Sequence, residues 1–253
     1  MQTNYTVMKK IALLFCFSAF LLTGISAQES RGMRFGFQAS PSWSWLRTND
    51  KKIEGLNSNW GMKLGMMGEY YFADNYAIIS GLGFGFNHGG FLQNGYNKGV
   101  YWPKSDLSAP NLDTLPLNAK LHYRVTYVEI PLGLKMRGGS NEDSRMKFYA
   151  EAPVFTLGFV TKATGDLGGT GPVSDDEVIR PDVNGLSLSW GLGAGIEYEF
   201  ATNATLVAGL TYQKQFTDMT RDAGSVEKSA NTWEKEDSKA TFGVLALKLG
   251  VFF

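Results

Sequence analysis

The chain has 253 residues with 24 basic and 24 acidic side chains, 13% aromatics, 30 glycines and one cysteine. Balanced charge without a clustered basic surface argues against nucleic acid as a partner, and a single cysteine excludes intrachain disulfides and thiolate metal sites. Many glycines and aromatics with few strong helix-forming stretches point to an all-β chain.

Residues 1–27 read as a signal peptide. Lys9 and Lys10 form a positive start, Ile11 to Leu22 an apolar run, and Gly24-Ile25-Ser26-Ala27 a small-residue cleavage site. Translation from Met1 or from Met8 fits equally. Cys16 lies in the apolar run behind Leu14-Phe15, without the small residue expected ahead of a lipidated cysteine. Residues 28–253 then form one domain with 22 basic and 24 acidic side chains, since only Lys9 and Lys10 are removed. No later apolar run reaches the ~18 residues of a membrane helix, so any crossing must be made by strands.

Alternation and turn residues predict eight strands: 33–46, 59–72, 76–87, 121–137, 146–161, 185–200, 205–217 and 241–253. All exceed the ~9–11 residues that cross a bilayer at a tilt. In the second, Met62, Leu64, Met66, Tyr70 and Phe72 oppose Lys63, Met67, Glu69 and Tyr71. In the sixth, Leu186 to Phe200 place eight apolar residues opposite serines, glycines, Glu197 and Glu199. Eight such bulky faces would overfill the inside of an eight-stranded barrel, so they are expected to face outward.

Connections alternate long and short, which predicts tight periplasmic turns and extended extracellular loops at 47–58, 88–120, 162–184 and 218–240. The expected fold is an eight-stranded antiparallel up-and-down transmembrane β-barrel. In the last strand Leu245, Leu247, Leu249, Val251 and Phe253 share one face, opposite Lys248.

The same parity sends Arg34, Lys63, Glu69, Glu129, Lys135, Glu197, Glu199 and Lys248 to the lumen, with Glu151 and Lys147 added to them. Four bases and four acids, before that added pair, are the balance a plugged polar core requires. The functional alternative is a proton or ion path. Pro131 and Pro153 within strands predict local bulges.

His88 and His122 flank the longest loop and could meet at its rim. A hydrolase would pair a histidine with a placed serine, but no motif surrounds either. The Gly81-x-Gly83-x-Gly85 and Gly191-x-Gly193-x-Gly195 patterns lack the helix of a nucleotide loop and read as inward strand glycines. Asp175-Asp176-Glu177 reads as a solvated acidic loop rather than a calcium site. No catalytic residue, cofactor or metal is expected. Trp43, Trp45, Trp60 and Trp190 suit headgroup-level anchors, whereas Trp102 and Trp233 fall in loops as packing or recognition residues.

The stretch Tyr127-Val128-Glu129-Ile130-Pro131-Leu132-Gly133-Leu134-Lys135 resembles the Tyr-(Leu/Val)-Glu-Ile-Pro-Leu-x-x-Lys segment of the PorT-like outer-membrane β-barrel family. Phe148-Tyr149-Ala150-Glu151-Ala152 resembles that family's next strand, and Ala152-Pro153-Val154-Phe155 departs from it where a glycine is usual. The resemblance implies an eight-stranded barrel in a Gram-negative outer membrane and little about activity. One branch serves a protein-secretion apparatus, and no residue here selects that branch. By analogy with other outer-membrane barrels, Phe253 is the signal read by the barrel-insertion machinery. The expected partners are outer-membrane lipid, that machinery, and envelope or surface proteins reached through 88–120, 162–184 and 218–240. The expected role is structural or interactive, the rivals being a narrow porin, a rim hydrolase and a soluble lipocalin-like barrel.

Overall fold

The computed structural model describes residues 32–139 and 144–253. The expected signal peptide and the turn residues Ser140 and Asn141 lie outside the described residues. Eight strands form the wall: β1 Met33–Thr48, β2 Ser58–Ala73, β3 Tyr76–Asn94, β4 Ala119–Gly138, β5 Met146–Gly169, β6 Leu186–Ala201, β7 Ala204–Gln215 and β8 Ala240–Phe252. Each pairs antiparallel with its sequence neighbours. β8 pairs with β1 from Gly36↔Phe252 to Thr48↔Ala240, so the sheet closes and keeps no edge.

Outward positions carry the apolar residues. Phe35 and Phe37 on β1, Met62, Leu64 and Met66 on β2, and Leu192 and Ile196 on β6 are exposed, as are Leu132 and Leu134 on β4. A contiguous apolar band of this extent is far larger than a water-facing surface tolerates and is what lipid solvates. Across from this band many inward positions are small or polar, with Met67, Val207 and Phe252 as apolar exceptions. A Cβ on Gly209 would collide with the Tyr149 hydroxyl, and one on Gly85 would lie 2.8 Å from the His88 ring.

The strands are unequal in height. β5 has 24 residues and β4 has 20, whereas β7 has 12. Only about 9–11 are needed in the membrane, so β3, β4 and β5 rise beyond it on one side. This corrects the expectation that 88–120 and 162–184 begin as loops. The alternation of β3 slips at Asn87, a bulge residue with φ 57, and resumes one residue out of step. A second slip lies between Thr126 and Tyr127 on β4, opposite Val160 and Lys162. Pro153 sits at a bulge, where Leu134 opposes both Ala152 and Pro153. Pro131 lies in unbroken register with Thr156, so the expected bulge there is absent.

The long connections carry structure of their own. Strand 53–55 pairs with β3, and strand 174–178 with β5. Strands 98–100, 115–116, 225–229 and 232–235 make a separate four-stranded sheet that joins the second long connection, 88–120, to the last.

Candidate functional site

The lumen is filled in layers. Nearest the short turns, the Lys135 ammonium lies 2.5 Å from Glu69 Oε1 and also pairs with Glu197, above the Tyr149 ring at 4.6 Å. Arg34 adds contacts of 3.5 Å to Glu69 and 3.4 Å to Glu197, and Tyr71 donates to Glu69 over 2.8 Å. Arg137 closes this layer over the Tyr71 ring at 4.5 Å. Two carboxylates thus meet three cations in a largely buried layer, the arrangement in which buried charge is tolerated.

One level higher, Lys248 meets Glu151 at 2.6 Å, and Lys63 meets Glu129 at 2.9 Å. Lys63 also donates to Gln213, whose amide donates to Ser189 over 2.6 Å. A cavity of about 90 Å³ lies beside these groups, lined by Gln38, Ser40, Glu129 and Thr156 among others. It is large enough for a few waters.

Above this level the interior turns apolar. Tyr127 and Phe242 pack with ring centroids 5.4 Å apart, and both flank His88 at 6.2 Å. A single buried cluster continues through Leu121, Tyr123, Val125, Val160 and Ile179 into the loop residues Trp102, Leu112, Met219 and Val226. The extracellular half therefore has the inward apolar core of a soluble protein, stacked on an inverted membrane half.

Hydrogen bonds knit this cap together. Trp102 donates to the Tyr123 hydroxyl over 3.0 Å, Tyr96 to Asp50 over 2.6 Å, and Tyr101 to Asn94 over 2.6 Å. Asp182 accepts from the Lys104 backbone and, over 2.5 Å, from Ser105. Asp218 accepts from Thr220 and from the Ala240 backbone, and burial pushes its carboxyl above the ordinary range. Burial raises Glu236 in the same way, against the bonds it accepts from Ser238.

Most sequence-predicted lumen residues converge: Arg34, Glu69, Lys135 and Glu197 in one cluster, Lys63 with Glu129, and Glu151 with Lys248. Glu199 departs from the expectation. It is exposed at the turn end of β6, paired in register with Thr205, where the wall ends and solvent begins. Lys147 is half-buried near that same end. Phe253 is exposed and exchanges backbone bonds with Phe35 of 2.8 and 3.2 Å across the seam. Sequence reasoning missed Arg137, Tyr149 and Gln213. Arg137 was within reach, being two residues beyond Lys135 on the same face.

The histidines do not meet. His88 points inward, fully buried, with Nε2 3.3 Å from the buried Ser42 hydroxyl. That serine–histidine pair is enclosed, so no substrate can reach it. His122 alternates to the outer face, stacked on Phe91 at 3.9 Å and held by Asp166 and Asn59 at 2.8 Å each. Asp176 pairs with Arg124 at 2.7 Å while Glu177 accepts from the Ser108 backbone, so these acids face different partners. Trp102 is buried in the cap, whereas Trp233 is 43% exposed.

Among solved structures the chain is similar to Neisserial surface protein A (17% identity, TM-score 0.38, covering 86% of this chain and 95% of that one). It is also similar to Ail, the attachment invasion locus protein of Yersinia pestis (13% identity, TM-score 0.37, 88% and 99%). A third is the outer membrane protein OprG of Pseudomonas aeruginosa (13% identity, TM-score 0.42, 88% and 97%). Among curated protein sequences nothing matches the chain significantly. The description "Outer membrane protein beta-barrel domain" matches residues 26–219, most of the chain. With a closed barrel, a lipid-facing apolar belt and that match, the chain belongs to the outer membrane protein β-barrel domain family.

Proposed function

We propose that this protein is an exported, non-conducting outer-membrane barrel that acts through its extracellular cap, as a structural or surface-interaction element. The observation that carries the reading is the double closure of the lumen. The Lys135–Glu69–Glu197 layer fills it near the turns, and the Tyr127–Phe242–Trp102 core fills it toward the loops. A narrow porin needs a continuous polar path, and a core that includes Leu121, Val125 and Ile179 interrupts it. Export is assigned to residues 1–27, with cleavage after Ala27, and insertion to machinery that reads Phe253.

Within the family we assign the chain to the PorT-like group on Tyr127 to Lys135. Its inward residues pack the lumen: Tyr127 against Phe242, Glu129 on Lys63, and Lys135 between two carboxylates. Its intervening residues Ile130, Leu132 and Leu134 face lipid. The motif is thus explained by barrel building and implies no activity. Purified protein in a planar bilayer is expected to give no unitary conductance steps. Reproducible, ion-selective steps would overturn the closed-lumen reading in favour of a narrow channel.

A further inference from the structure

One sector of the outer face gathers three cations on three adjacent strands. On the tall side of the wall, Arg124 is neutralised by Asp166 at 2.5 Å and Asp176 at 2.7 Å, and His122 by Asp166. On the opposite side, Arg47 of β1, Lys214 of β7 and Lys239 just before β8 are all exposed, and none forms an ion pair among the described residues. The lipid-facing positions of β1, β7 and β8 carry no acidic residue at all.

Register brings these cations together. Arg47 pairs with Thr241, Lys214 with Gly243, and the Asn49 side chain accepts from the Lys239 backbone over 2.7 Å. Arg47 and Lys214 therefore flank β8 from either side, with Lys239 two residues beyond Thr241 on the same face. Adjacent strands lie about 4.8 Å apart and the three positions step by two residues, roughly 7 Å each, along them, so the long side chains converge on one phosphate-sized anion by bending toward one another along the wall.

Aromatic residues flank them. Trp45 stacks with Tyr212 at 6.4 Å, and Trp190 meets Tyr212 edge-on at 6.2 Å. Trp45 lies across Gly243, where a Cβ would come within 2.8 Å of its ring, so the glycine makes room for the indole. A shallow recess is lined by Trp45, Arg47, Tyr212, Lys214, Thr241 and Gly243. Tryptophan and tyrosine mark the headgroup level of a bilayer. Lys214 is level with Trp45 and Trp190, Arg47 stands two residues farther out and Lys239 four, roughly 7 and 13 Å along the strand, so the cations run from the aromatic belt toward the lipid phosphates.

We propose that Arg47, Lys214 and Lys239, beside and beyond the Trp45–Tyr212–Trp190 cluster, form a binding site for the phosphate of an outer-leaflet lipid. The guanidinium can bind two phosphate oxygens while the ammonium groups act as point charges. The acyl chains lie on the apolar belt directly below, which includes Leu210 and Leu245. The site is independent of whether the lumen conducts.

The test uses purified mature protein, residues 28–253, in neutral detergent, titrated with diphosphorylated lipid A or its dephosphorylated form and read by native mass spectrometry. One bound phosphorylated lipid is expected, with dephosphorylated lipid at least about tenfold weaker. The triple variant Arg47→Gln/Lys214→Gln/Lys239→Gln is expected to lose at least about tenfold in affinity, while Lys162→Gln, an exposed cation elsewhere on the wall, keeps the wild-type value. These substitutions leave the lumen and ladder untouched, and an unchanged far-ultraviolet β spectrum verifies folding. Equal binding of the two lipids, or undiminished binding by the triple variant, would overturn the proposal. So would displacement of the lipid by equimolar inorganic phosphate, which would make the site one for free anions.

Discussion

Lys135 is the residue on which the lower lumen depends. It is 1% exposed and is shared by Glu69 and Glu197. Removing one partner of a buried pair leaves uncompensated charge, a loss of about 3–5 kcal/mol. Lys135→Met is expected to lower the unfolding free energy in lipid vesicles by about that amount, measured by urea titration. Adding Glu197→Gln is expected to recover part of the loss, and equal stability of single variant and wild type would refute this account. The members of this network were legible as inward charges, because side chains alternate along a strand. Their pairing was not. Glu69 and Lys135 are 66 residues apart, and only closure of the wall makes them neighbours. Glu199 follows the same parity as Glu197 but lies where the wall ends, a boundary that alternation cannot reveal.

At the scale of elements, the cap between β7 and β8 holds two carboxyls, Asp218 and Glu236, whose burial raises their protonation range. A raised carboxyl stabilises the folded state below its unfolded pKa, and that contribution disappears as pH rises through the folded value. Residues 216–240 are therefore expected to be better protected near pH 4 than at pH 7 in hydrogen exchange corrected for intrinsic rate. The variant Asp218→Asn/Glu236→Gln is expected to flatten that difference. A second element-scale consequence concerns the seam. Deleting Phe253 removes its two backbone bonds to Phe35 together with the proposed insertion signal. Insertion into membranes in cells is expected to fall more than the stability of protein refolded in detergent; normal cellular insertion would count against the signal. The membrane portions of the strands were legible because bulky and small residues alternate along them, broken in β5 by the bulge at Pro153. The upper parts of β3, β4 and β5 were not. One extra residue at Asn87 reverses which positions face inward, and Gly89-Gly90 then resembles a loop.

For the whole molecule, orientation is the property most directly open to test. Residues 28–253 contain no cysteine, so a single one can report position. Trp233→Cys is expected to react with a membrane-impermeant maleimide on intact cells, and Lys147→Cys only after the outer membrane is broken. The reverse pattern would invert the topology. Strand number, antiparallel order, loop alternation and an outward apolar face were all determined by the sequence itself, because period-two patterning and turn chemistry are local properties of the chain. Tertiary structure alone decided the layering of the interior. Whether an inward residue meets a charge, a cavity or an apolar core depends on which distant strands face it across the barrel. It likewise decided that the loops fold into one interlocked cap, and that Arg47, Lys214 and Lys239 gather on one side while Arg124 pairs with Asp166 and Asp176 on the other. Those contacts join residues far apart in the chain, and local pattern carries no record of them.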